Sequence, residues 1–156
     1  MSELNFGPGL PHKVPPPLLF GGLLVSLVLG RVLGLSAPLP KGIRWAGIPL
    51  VMTGLWLGST AFVSQRRAGT SPDFRQPTSA LVVSGPYRIT RNPIYLAMSL
   101  VVSGLSFLFG EIWALLLLPV VLLVLDHGVV QGEESYLEQK FGVDYLDYKN
   151  RVPRWF

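Results

Sequence analysis

The sequence predicts an all-α fold: an integral-membrane bundle of four transmembrane helices, closed by a C-terminal amphipathic helical segment on the cytoplasmic side. Three observations lead there. Of the 156 residues, 49% are hydrophobic and only 14% charged, with a mean hydropathy of +0.45, whereas a soluble domain carries about 25% charged residues. Four apolar runs each come close to the ~20 residues that cross a bilayer. No alternating pattern of strands and no internal repeat interrupts them. The length suits a single domain, residues 1–156.

The composition also excludes several classes. Without cysteine there is no disulfide framework, thiolate metal site or cysteine nucleophile, and His12 and His127 are too few for a histidine-rich metal site. No metal is expected. The net charge of +4 could suit nucleic acid, but the arginines cluster beside apolar runs. Anionic lipid headgroups and membrane orientation account for that placement, and no nucleic-acid partner is expected. There is no Gly-x-Gly-x-x-Gly after a strand and no phosphate-binding loop, which excludes a soluble Rossmann domain.

Along the chain, residues 1–17 are irregular because Pro8, Pro11, Pro15, Pro16 and Pro17 oppose a helix. Lys13 before an apolar run that ends near Ser36-Ala37 has the outline of a signal peptide. The leader is long and proline-rich, however, and the run contains Arg31, so it reads as a retained span. That first span runs over 18–35, with Arg31 able to snorkel toward an interface. The second covers 45–63, the third 94–110 and the fourth 112–130, with Asp126 and His127 near its end. The joins at 36–44 and 110–111 are short, so each flanking pair forms an antiparallel hairpin. Gly30-x-x-x-Gly34 and Gly54-x-x-x-Gly58 permit close helix contact, within one chain or between two, which leaves the oligomeric state open. Pro49 and Pro119 are candidate kinks.

Charge sets the expected orientation. Lys13, Arg66, Arg67, Arg75, Arg88, Arg91, Lys140, Lys149, Arg151 and Arg154 fall on one side, against Lys41 and Arg44 on the other with Arg31 near it. The positive-inside rule then puts both termini and the 64–93 loop in the cytoplasm of a multi-pass protein of the inner or plasma membrane.

The polar residues concentrate in two stretches. Ser84–Leu96 holds a Gly85-Pro86 turn, two arginines, two tyrosines and Asn92 immediately before Pro93. Proline there directs Asn92 to extended geometry and suits the first turn of the next helix. Such a helix N-terminus beside cationic side chains can hold an anionic group, or the stretch can serve only as a basic topology loop. The second stretch is the tail. Glu133 and Glu134 leave the fourth span directly. Asp126 and Glu133, like His127 and Glu134, are seven apart and share a helical face, with Arg88 and Arg91 as candidate partners. Leu137 with Phe141, then Tyr145, Tyr148, Val152 and Trp155, recur at helical spacing around a break at Gly142 and suit an interfacial helix with aromatic anchors.

Gly85-Pro86-Tyr87-Arg88-x-x-Arg91-Asn92-Pro93-x-Tyr95-Leu96, followed by Glu133-Glu134-x-x-Leu137-x-x-x-Phe141-Gly142-x-x-Tyr145-x-x-Tyr148-x-x-x-Val152-Pro153-Arg154, resembles the isoprenylcysteine carboxyl methyltransferase and phospholipid methyltransferase family. Arg67-Ala68-Gly69-Thr70 also resembles bacterial members. The resemblance covers about residues 60–156. It implies an integral-membrane enzyme that uses S-adenosylmethionine, leaving S-adenosylhomocysteine, with a cofactor site built at the cytoplasmic face from both motifs. Gly85, Tyr87, Arg88, Arg91, Asn92, Pro93, Tyr95 and Leu96 would form one side of that site and Glu133 and Glu134 the other. Glu133, Glu134 and His127 are the candidates for catalytic duty, and Tyr145, Tyr148, Arg151 and Arg154 for the substrate side. Isoprenylcysteine enzymes carry histidine where this chain has Asn92. Asparagine can donate a hydrogen bond to a carboxylate but cannot titrate, so the resemblance does not extend to a histidine-dependent proton transfer.

The residue types suit that chemistry. S-Adenosylmethionine carries a sulfonium, an ammonium and a carboxylate beside an adenine. The two glutamates, the Arg88/Arg91/Asn92 turn, and Tyr87, Tyr95 and Leu96 supply the matching groups. Orientation of an acceptor against the methyl can contribute ~7–11 kcal/mol. A carboxylate or thiolate acceptor needs no base, whereas an amine or protonated thiol does. The expected acceptor is a membrane lipid or small hydrophobic molecule that enters from the bilayer. Two other readings remain: a non-catalytic membrane protein, transporter or scaffold, whose polar loop serves topology; and a membrane reductase using a nicotinamide dinucleotide, for which the short chain shows no nucleotide-holding segment.

Overall fold

The computed structural model describes residues 16–33, 38–70 and 78–156. Residues 1–15, Gly34, Ser36-Ala37 and Arg75 lie outside the described residues, as does the side chain of Arg31. Pro16 and Pro17, expected to be irregular, instead open the first helix, where a missing N–H breaks no intrahelical bond. The described chain is helical, with no strand beyond an isolated bridge between Pro38 and Glu111. In order it forms α1 (Pro16–Val32), a 3-10 turn (Lys41–Ala46), α2 (Gly47–Arg67), a 3-10 turn (Gly85–Arg88), α3 (Pro93–Phe109), α4 (Trp113–Leu125), a π-helical turn (Asp126–Val130), α5 (Gln131–Phe141) and α6 (Val143–Arg151).

Two continuous helical stretches are long and apolar enough to cross a membrane: Lys41–Arg67 and Trp113–Phe141. The two other apolar helices, Pro16–Gly30 and Pro93–Phe109, are shorter. The outer faces are greasy. Trp45, Met52, Leu55 and Trp56 of the first stretch and Leu116, Val120 and Leu123 of the second are exposed, and soluble monomers rarely expose contiguous apolar patches of that extent.

Close backbone approach fixes α2 against α3. A Cβ on Gly47 would lie 2.3 Å from the carbonyl oxygen of Gly104, one on Gly104 would lie 2.7 Å from that of Gly47, and one on Gly54 would lie 2.8 Å from that of Ala97. The expected Gly54/Gly58 pair therefore contributes unequally: Gly58 makes only ordinary contact with Ala97, and the tight partner of Gly54 along the helix is Gly47. Gly30 abuts the indole of Trp113, where α1 packs on α4. Pro49 falls in the first turn of α2, where its missing N–H costs nothing. Pro119 lies inside α4.

At one end of the bundle the two short joins meet. Gly110, left-handed at φ 71°, caps α3, and its carbonyl accepts the amide of Leu39 at 2.8 Å. At the other end, the 84–96 stretch and the tail come together. Gly142, at φ 54°, separates α5 from α6, and α6 folds back so that Tyr145, Tyr148 and Val152 pack with Leu81, Leu137 and Phe141. The apolar spacing of the tail, expected to form an interfacial helix with aromatic anchors, instead forms a face buried within the protein, because the break at Gly142 folds Tyr145, Tyr148 and Val152 back onto Leu81, Leu137 and Phe141.

Candidate active site

Three short segments converge at that end. Gly85 takes φ 60°, and a Cβ there would lie 2.4 Å from the Ser64 hydroxyl, so this turn needs glycine for both its dihedral and its closeness to α2. The turn buries Tyr87, whose hydroxyl accepts a 2.8 Å hydrogen bond from Gln65 Nε2. Its carbonyl accepts the Tyr148 hydroxyl at 2.8 Å. Beyond it, Pro93 opens α3 as expected. Asn92 does not reach full extension: its ψ is 51°, beside a φ of −123°. Its amide donates to the Thr90 hydroxyl at 3.2 Å and its Nδ2 to the Arg154 carbonyl at 3.1 Å, and these bonds hold the bend.

The last residues of the tail are strapped across this turn. Arg91 N–H donates to the Pro153 carbonyl at 3.0 Å, and Thr90 Oγ1 to the Arg154 carbonyl at 2.9 Å. The Arg154 guanidinium then grips Glu134 through two bonds of 3.0 and 2.8 Å and Asp126 at 3.0 Å. Trp155 Nε1 donates to the other Asp126 oxygen at 2.9 Å. Arg91 completes the set with a 2.9 Å ion pair to Glu134 and a 3.4 Å bond to the Tyr145 hydroxyl. Bidentate pairing of this kind fixes geometry as well as charge.

The π turn at 126–130 changes the expected pairing of the acids. A spacing of seven puts Asp126 and Glu133 on one face of a regular α-helix. The wider turn takes up one extra residue, so Glu134, eight residues on, joins Asp126 around Arg154. Glu133 instead points toward α3 and accepts the Tyr95 hydroxyl at 3.3 Å. Among the described residues it has no ion-pair partner. Of the two arginines expected to meet the acids, Arg91 does, and Arg88 is exposed.

A cavity of about 750 Å³, open mouth included, lies between these elements. Its wall includes Tyr87, Arg91, Asn92, Pro93, Tyr95, Glu133, Glu134, Tyr145 and Tyr148. It also includes Ile94 and Leu137 from those two stretches, and residues that the sequence did not single out, Gln65, Thr78, Leu81 and Val82 among them. Thr70, at the end of the Arg67–Thr70 run, lines it too. Gln65 carried no signal beyond being a lone amide near the end of an apolar run.

Other candidates stand outside the wall. His127 is exposed, and its ring sits 3.0 Å from the Leu123 carbonyl of its own helix. Arg88 and Arg151 are exposed, the latter donating to the Asp147 carbonyl at 3.1 Å. Gly85 shapes the turn from behind, Leu96 is turned away from the cavity, and Arg154 braces it through Glu134.

Among the described residues, two guanidiniums, Arg91 and Arg154, and three carboxylates, Asp126, Glu133 and Glu134, gather at this end, and Glu133 is the carboxylate outside the ion pairs. Arg154 is held protonated, chiefly by its hydrogen bonds to Glu134. Burial is the main cause that raises the tyrosine phenols. Tyr145 is pushed up to about 12, with Glu134 adding to the effect and Arg91 opposing it. Tyr148 and Tyr87 also move upward, the latter further because of Glu133. These phenols are neutral hydrogen-bond donors at physiological pH, not bases.

An uncharacterized protein of Haemophilus influenzae is 36% identical over 62 residues, covering 40% of this chain and 98% of that protein. The cobalt-zinc-cadmium resistance protein CzcN of Cupriavidus metallidurans is 26% identical over 121 residues. That match covers 77% of this chain but 50% of the relative, so the chain spans about half of that protein's length. No solved structure matches. A family model described as phospholipid methyltransferase matches residues 43–144, from the 3-10 turn before α2 to the start of α6. With well over half of its length covered by that match, the chain belongs to the phospholipid methyltransferase family, whose chemistry is methyl transfer at a membrane.

Proposed function

We propose that this protein is an S-adenosylmethionine-dependent methyltransferase whose cofactor occupies the cavity between the 84–96 turn and the tail, and whose acceptor is a lipid or small hydrophobic molecule. The observation that carries the reading is Glu133, a carboxylate on the cavity wall that accepts a tyrosine hydroxyl and, among the described residues, forms no ion pair. A carboxylate placed so is a fitting partner for a cationic group on a ligand. S-Adenosylmethionine, with its sulfonium, ammonium and carboxylate, is such a ligand and supplies an electrophilic methyl group.

The remaining wall fits the same molecule. The Nε of Arg91 is buried and has no hydrogen-bond partner among the described residues, and an unmet donor of this kind is costly unless a ligand acceptor completes it. A ligand carboxylate would do so, with Arg91 already fixed by Glu134 and Tyr145. Tyr87, Tyr95 and Tyr148 offer aromatic surface for adenine. Glu134 acts as a brace between Arg91 and Arg154. Asn92 stabilises the turn by bonding the tail. His127, exposed and outside the cavity wall, receives no role in this reading.

The reading further takes α1 and α3 as spans beside the two longer helices, which makes four crossings with both termini and the cavity at the cytoplasmic face. The basic residues around the cavity end, against Lys41 and Arg44 at the other, support that orientation. Photolabelling of the purified protein with methyl-labelled S-adenosylmethionine tests the site. Label is expected in peptides covering 87–95 or 133–148, competed by S-adenosylhomocysteine. Label elsewhere, or label that excess S-adenosylhomocysteine does not displace, contradicts it.

A further inference from the structure

The side of the cavity formed by α2 belongs to neither motif, and it carries an unmet hydrogen-bonding group. Gln65 is half-buried on the cavity wall. Its Nε2 is committed to the Tyr87 hydroxyl at 2.8 Å, while its Oε1 is buried and has no hydrogen-bond partner among the described residues. Because the Tyr87 oxygen accepts from Gln65, its own proton is free to donate. The contact of Gly85 with Ser64, the residue before Gln65, fixes this pair in register. A buried amide oxygen without a donor costs about 1–3 kcal/mol, and it is relieved by a partner that brings an N–H or O–H.

Position says which ligand that is. Gln65 lies within the last turn of a helical stretch long and apolar enough to cross a membrane. A molecule that enters from the bilayer meets this wall, whereas Arg91, Glu133, Tyr145 and Tyr148 are supplied by the motif turn and the tail.

We propose that Gln65 is a specificity-determining residue for the methyl acceptor: its Oε1, aligned by the Tyr87 hydroxyl, receives a hydrogen bond from an N–H or O–H on the acceptor's head and disfavours a carboxylate head. This rests on the methyltransferase reading only for the word acceptor. In the transfer so implied, the bond between the acceptor's lone pair and the methyl carbon forms as the carbon–sulfur bond breaks. The breaking bond's electrons stay on sulfur, and the acceptor's proton leaves to water at the open mouth.

The test uses the full chain in detergent micelles with its glutamine side-chain amides labelled with nitrogen-15. The Gln65 resonance is assigned by its loss in Gln65→Leu. Decanol and decyl methyl ether, matched in tail but differing in the O–H, are titrated at equal mole fraction. Decanol is expected to shift the Gln65 resonance saturably and the ether to leave it in place. Equal shifts from both probes, no shift from decanol, or a tenfold loss of S-adenosylhomocysteine affinity in Gln65→Leu overturns the proposal, the last by assigning Gln65 to the cofactor. If the unsubstituted protein binds no S-adenosylhomocysteine, the methyltransferase reading fails, and the decanol arm still decides whether Gln65 reads a donor.

Discussion

At the residue scale, the two adjacent glutamates have been given different work by one π turn. Glu134 is held by Arg91 and Arg154, so it is structural, and Glu133 is left facing the cavity with only Tyr95. Glu133→Gln removes the carboxylate without changing size. It is expected to weaken S-adenosylmethionine binding by tenfold or more, ~1.4 kcal/mol, with the thermal midpoint nearly unchanged. Glu134→Gln is expected to lower the midpoint, because charge-assisted hydrogen bonds of this kind contribute about 1.5–3 kcal/mol each; differential scanning calorimetry separates the two. Arg91→Ala is expected to impair ligand binding while Arg88→Ala leaves it within about twofold, since Arg88 is exposed and outside the cavity wall. Equal losses in the two arginine variants would contradict the placement.

At the scale of elements, the wide turn at 126–130 is the feature on which the site's register depends. Deleting Gly128 converts the π turn to α geometry and rotates everything after it by one residue. The helix is expected to remain by circular dichroism, while Arg154 can no longer hold Asp126 and Glu134 together and ligand binding is lost. Retained binding would mean that the turn is incidental. The α2–α3 contact makes a separate expectation. Gly104→Leu forces a side chain against the Gly47 carbonyl and Val51, and overpacking of this kind costs typically 1–3 kcal/mol, read as a lower unfolding temperature in detergent.

Much of this scale was legible in the sequence. The positions of α2, α3 and α4 follow from uncharged apolar runs bounded by Arg66-Arg67, Pro93 and Gly110, and the helix break at Gly142 follows from glycine within an amphipathic pattern. The π turn was not legible, because Asp126-His127-Gly128-Val129-Val130 fits an α-helix equally well and the widening is decided by which acid reaches Arg154. The same cause put Glu133 in the wrong partnership with Asp126. Gln65 was missed for a related reason: its role comes from the turn at Gly85 docking against Ser64, a contact that joins residues far apart in sequence. Arg88 and His127 look equivalent to Arg91 and Glu134 in a string of letters, and only the fold separates those that line the cavity or brace it from those that face outward.

On the scale of the whole molecule, the cavity and the ion pairs that frame it lie together at one end of an apolar bundle. The hairpin joins close the other end, with Leu39 bonded to Gly110, and the tail returns from α6 to lock the cavity through Arg154 and Trp155. Residues 153–155 are thus part of the site's frame, which ties the tail motif to the turn in the middle of the sequence. Removing residues 153–156 is expected to leave α1–α4 inserted but to release Glu134 and Asp126, with loss of ligand binding and faster proteolysis of α5–α6. The most direct measurement of the central claim is a calorimetric titration of the full chain in detergent with S-adenosylhomocysteine and with S-adenosylmethionine. One-to-one binding of both is expected, tighter for the positively charged S-adenosylmethionine, with that preference lost in Glu133→Gln. Absence of binding by either compound to the folded, unsubstituted protein would contradict it.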